Sequence, residues 1–150
     1  MKRITETLIA VALLGAVSLF AEEAPQEEEY MCKMSTLNKV LDGYNISSKG
    51  VNTAVAYNPK TIKRTKDGVF VWISFVNTRN NTQAYSDNEG YVLSYIFMNK
   101  KERTYRAIDA SGYACDGTIT GHYTKGESNV IFPKSIMEGL YEEMFPVKGK

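Results

Sequence analysis

Histidine and tryptophan each occur once in this chain of 150 residues, and cysteine only twice. A single histidine, His122, excludes a centre built from several imidazoles. Two cysteines exclude thiolate clusters, because structural zinc takes four converging ligands. No Gly-x-Ser-x-Gly elbow, phosphate-cradling loop or dinucleotide fingerprint follows a strand-like run, so three large enzyme classes drop out. His122, in Gly121-His122-Tyr123, reads as a surface or satisfied core residue with no serine or cysteine motif to activate. Asp109 and Asp116 occupy turn-like or strand-end positions and read as turn formers, a folded carboxylate pair being the alternative. The expectation is a non-enzyme with no cofactor and no metal.

Charge of one sign is also lacking. The formal net charge is +1, which for an exported chain argues against nucleic acid as a partner. Long apolar runs are missing too. The longest, Leu8 to Phe20, has 13 residues, whereas crossing a bilayer takes about 20. It follows Met1-Lys2-Arg3 and ends at Ala21 before Glu22-Glu23, the charged, apolar, small order of a secretory signal. We expect cleavage after Ala21 and export to the periplasm or cell surface, with no transmembrane segment afterwards.

Residues 22–29 (EEAPQEEE) are acidic and contain a proline, so they read as a flexible tether unable to bury apolar surface. Residues 30–150 then form a mildly basic body of a size that suits one domain. Cys32 and Cys115 remain after signal removal. In an oxidising compartment a disulfide between them is the first expectation, with two separate thiols as the alternative.

Within the body, Tyr30, Met34, Leu37 and Leu41 recur at helical spacing until Asp42-Gly43 stops them. From Val51 the period becomes two, through Val55 and Tyr57 to Asn58-Pro59. Val69 to Val76 (VFVWISFV), bounded by Asp67-Gly68 and an Asn-rich stretch, predicts a central strand with Trp72 in the core. Tyr91 to Phe97 and Thr104 to Ile108 predict a hairpin, and Ser111 to Ala114 with Gly117 to Tyr123 a second one turning at Asp116-Gly117. Ser135 with Glu138 forms a capping-box pattern ahead of Ile136, Leu140 and Met144, which share one helical face. The predicted fold is α+β: an antiparallel sheet packed by a C-terminal helix, with a short N-terminal helix after the signal.

Val55-Ala56-Tyr57-Asn58-Pro59-Lys60-Thr61-Ile62, Val69-Phe70-Val71-Trp72, Tyr105-Arg106 and Ile131-Phe132-Pro133-Lys134-Ser135-Ile136 recur in an order that resembles the surface-adhesin protein E family of small exported bacterial proteins. The resemblance spans about Tyr44 to Met144. It implies an antiparallel sheet packed by a C-terminal helix and, for members that act as adhesins, binding of host matrix and plasma proteins. The family pattern places a cysteine late in that helix and this helix has none, so no disulfide pairing carries over.

Two basic clusters remain: Lys60, Lys63, Arg64 and Lys66 in one connection, and Lys100, Lys101, Arg103 and Arg106 in another. Brought together with Tyr57, Tyr95 and Tyr105, they would form a basic face for an acidic protein patch, an anionic glycan or a lipid headgroup. The alternative is that they solubilise hairpin tips and guard edge strands. Ten tyrosines exceed what the core needs, so some are expected at a binding or homodimer surface. The functional expectation is an exported binding protein, with a periplasmic accessory or structural subunit as the alternative.

Overall fold

The computed structural model describes residues 30–79 and 89–149. The expected signal (1–21) and tether (22–29) lie outside the described residues. No described helix is long and apolar enough to cross a membrane.

The architecture is α+β. Helix α1 (Met34–Val40) leads into β1 (Asn45–Lys49), β2 (Thr53–Tyr57), a 3-10 turn (Pro59–Thr61), β3 (Lys63–Arg64) and β4 (Gly68–Asn77). Then come β5 (Glu89–Asn99), β6 (Thr104–Ala114), β7 (Ile119–Thr124), β8 (Asn129–Val130) and helix α2 (Ile136–Met144). The eight described strands form one sheet in the order β1-β2-β4-β5-β6-β7, with β3 beside β4 and β8 beside β6. All pairings are antiparallel. As its β-branched and aromatic run predicts, β4 lies centrally, paired along one side with β5 and along the other with β2 and β3.

Strand pleating sends alternate side chains to opposite faces. On one face, Val55, Val69, Val71, Ile73, Ile96 and Met98 meet Met137, Leu140 and Met144 of α2 in the main core. Ser135 starts that helix, its hydroxyl accepting the Glu138 amide at 3.3 Å. The Glu138 carboxylate in turn accepts the Lys134 amide at 2.6 Å, a capping box closed one residue early.

On the other face, Tyr30, Cys32, Leu37, Ala54, Val76 and Tyr91 form a smaller cluster under α1. Cys32 and Cys115 form a disulfide there, joining residues 83 apart in sequence. The bridge lies over Gly90, where a Cβ would collide with the sulfurs of both cysteines.

Among the departures from expectation, three have a clear physical cause. Helix α1 begins at Met34 rather than Tyr30, because Tyr30 pairs as an extended bridge with Thr78 and Cys32 is drawn to its disulfide partner. Strand β1 was not legible: its sequence Asn-Ile-Ser-Ser-Lys is polar and half exposed, and pairing with β2 rather than propensity makes it a strand. Finally, β6 is one strand of 11 residues where two shorter ones were expected. A register shift between Tyr95 and Ile96 absorbs the extra residue, so the pattern breaks without the strand ending.

Candidate functional site

Register across the sheet sorts the candidate residues into rows on the face away from α2. The first row runs Lys63, Phe70, Phe97, Arg106 over β3, β4, β5 and β6. The second runs Trp72, Tyr95, Asp109, Thr124 over β4 to β7. The third runs Ala56, Ser74, Leu93, Ser111, His122, and the fourth Ala54, Val76, Tyr91, Tyr113. The α1 cluster draws on the third and fourth rows, through Ala54, Val76, Tyr91, Leu93 and Tyr113. The first two rows supply no member of either core cluster.

Their aromatic side chains are consequently half-buried, not sealed in. Phe70 and Tyr95 stack with ring centroids 5.8 Å apart and planes 28° apart; Trp72 and Tyr95 are 5.3 Å and 30° apart. Phe97 lies 4.7 Å from Phe70, and the Arg106 guanidinium carbon is 5.9 Å from the Phe97 ring centre. The core role expected of Trp72 is therefore corrected: pleating puts Val71 and Ile73 against α2 and Trp72 on the opposite side.

The same pleating divides the two basic clusters. Arg64 and Arg103 lie on the helix side, Arg64 donating to the Met144 carbonyl at 2.6 Å at the negative end of α2. Arg103 pairs with Glu138 at 3.0 Å and covers the Tyr141 ring at 4.5 Å. Lys63 and Arg106 instead flank the first aromatic row. Lys66, Lys100 and Lys101 line a groove of about 520 Å³ at the end of the sheet, with Asp67, Asn99, Glu102 and Tyr141. Lys60 is exposed in the 3-10 turn, where its amide caps onto the Asn58 side chain at 3.1 Å. Of the three tyrosines expected beside these cations, Tyr95 is on the open face, while Tyr57 and Tyr105 pack against the main core.

Folding also builds something that the spacing of the residues concealed. His122 sits between Ser111, whose Oγ is 2.8 Å from Nδ1, and Asp109, whose Oδ1 is 3.4 Å from Nε2. Strands β6 and β7 bring them together as neighbours in adjacent rows. A carboxylate at one ring nitrogen favours a proton there, leaving the other nitrogen to accept from the serine hydroxyl. The His122 and Asp109 side chains are, however, 56% and 45% exposed, so water screens this polarisation. Asp116 is elsewhere, in the β6–β7 turn; hydrogen bonds from Thr118 hold its carboxyl below the usual carboxylate range. Among the described residues, no three His, Cys, Asp or Glu side chains converge as a metal site would require.

Compared with protein-family models, with curated proteins and with solved structures, the chain matches none.

Proposed function

We propose that this is an exported, non-enzymatic binding protein of the surface-adhesin E type, holding a protein or anionic glycan through its sheet or hairpin surface. The observation that carries this reading is the convergence of Lys66, Lys100 and Lys101 on one groove. They come from two turns, Lys66 from the one before β4 and Lys100 and Lys101 from the one between β5 and β6, and Asp67 and Glu102 only partly offset them, leaving a local positive potential. The exposure of the Ser111–His122–Asp109 trio supports binding over catalysis, because electrostatic stabilisation of a transition state is strong in sites that exclude water.

Retention of the mature protein on immobilised heparin, a sulfated polyanion, tests the reading. We expect retention that weakens as salt rises, and that a Lys66→Glu, Lys100→Glu, Lys101→Glu variant loses. Absence of retention, or retention indifferent to salt and to these substitutions, rejects it.

A second reading, an accessory subunit of an envelope complex, is favoured by exposed apolar side chains at one margin of the sheet. Ile119 is 61% exposed, Val130 57% and Phe132 67%. Edge strands with apolar side chains are templates for another chain. Co-purification of one envelope partner that Val130→Lys and Phe132→Ser abolish would favour this reading.

A further inference from the structure

We infer that the half of this sheet face that no described element covers is a carbohydrate platform that takes an acidic sugar chain, its pyranose rings lying on Trp72 and Tyr95 and its carboxylates facing Lys63 and Arg106. The inference rests on the reading of this chain as a binding protein and adds the ligand class and the face that holds it.

Two observations on that face select a sugar. Phe70, Tyr95 and Trp72 follow one another on it as half-buried rings packed 5.8 and 5.3 Å apart, a continuous apolar strip that Phe97 extends. The face of a pyranose presents axial C–H bonds, which are attracted to the negative face of an aromatic ring. Beside the rings, in the second and third rows, stand Asp109, Ser111 and His122, supplying both donors and acceptors within half-exposed reach. Sugar hydroxyls both donate and accept, and a site with a few convergent polar groups beside apolar rings fixes their orientation.

Charge then selects an acidic sugar. The first row is bounded at both ends by cations, Lys63 and Arg106, with two phenylalanines between them. The guanidinium of Arg106 is placed over the Phe97 ring, which leaves its planar fork available for a carboxylate. A second copy of this chain fits the same row poorly. A face-to-face two-fold dimer centred on that row would oppose cation to cation whichever end met whichever.

Trp72 is the only tryptophan, so its emission reports directly on the platform. Trigalacturonate would be titrated into the mature protein, with the neutral trisaccharide maltotriose alongside. We expect saturable change in Trp72 emission with trigalacturonate and at least about tenfold weaker affinity for maltotriose, a difference of about 1.4 kcal/mol. Tyr95→Ala should weaken trigalacturonate binding about tenfold or more, and Arg106→Gln should bring the acidic and neutral sugars within about threefold. Thermal unfolding of each variant separates lost binding from lost fold.

If trigalacturonate binds but Trp72 emission and the Tyr95→Ala affinity are unchanged, the platform is wrong and the binding-protein reading stands. If neither trigalacturonate nor heparin binds, both fall. If Trp72 emission changes with protein concentration alone and sedimentation shows a dimer, the face is a self-association surface and the sugar assignment is overturned.

Discussion

Gly90 carries no side chain because the disulfide occupies the space a side chain would need. A Cβ there would run into the Sγ atoms of Cys32 and Cys115. Gly90→Ala is therefore expected to destabilise by about 1–3 kcal/mol, as overpacked sites do, measured by urea unfolding. Tyrosine hydroxyls make a second prediction at this scale. Tyr57 is raised above its ordinary value of 10.0, first by its hydrogen bond with Glu143 and then by burial. Burial raises Tyr105, and raises Tyr91 with a smaller contribution from Tyr113. A raised phenol favours the protonated form in the folded state, so its contribution is fully present below pH 10.0 and is lost as pH climbs through the folded value. Phenolate absorbance should accordingly show a delayed phase in the folded protein that disappears in urea. A titration identical in both states would contradict these environments.

Helix α2 shows how a short element is held. It has 9 residues, too few to be stable alone, and depends on its cap and on the sheet beneath it. Leu140 is completely buried in the main core. Leu140→Ala should cost about 2–5 kcal/mol through lost burial and a cavity. Ser135→Ala should cost about 1 kcal/mol by removing the acceptor for the Glu138 amide. Urea midpoints of the two variants give that order, and an equal effect would place the weight on the cap instead. This helix was legible in the sequence because its cap and apolar stripe are local. Strand β1 was not, because Asn45 to Lys49 carries no periodic signal and owes its conformation to β2.

Across the whole molecule, the disulfide ties the extended segment before α1 to the end of β6. Closing a loop of this length restricts the unfolded chain, and removing such a bridge from a small domain typically costs about 2–5 kcal/mol. Cys32→Ser with Cys115→Ser should lower the unfolding free energy by that amount, and reducing agent should lower the melting temperature of the native protein but not of the double variant. Reaction of the unfolded, unreduced protein with a thiol reagent should find no free thiol. The α1 cluster should loosen before the main core, since Cys32 belongs to the former and α2 packs on the other face. Hydrogen exchange on the two faces would show it.

The sequence alone determined the class of fold, the central place of Val69 to Val76 and the capped helix after Ser135, because each depends on residues close together in the chain. Scarcity of histidine and cysteine narrowed the chemistry and left a single candidate pair for a disulfide. Only the tertiary structure decided which side of the sheet each candidate faces. Pairing register and the shift at Tyr95 and Ile96 sent Arg64 and Arg103 to the helix, left Lys63 and Arg106 beside the aromatic rows, and joined Asp109 and Ser111 to His122. A sheet has two faces and one sequence period of two, so alternation says that neighbours part company; only the strands alongside fix what each one meets.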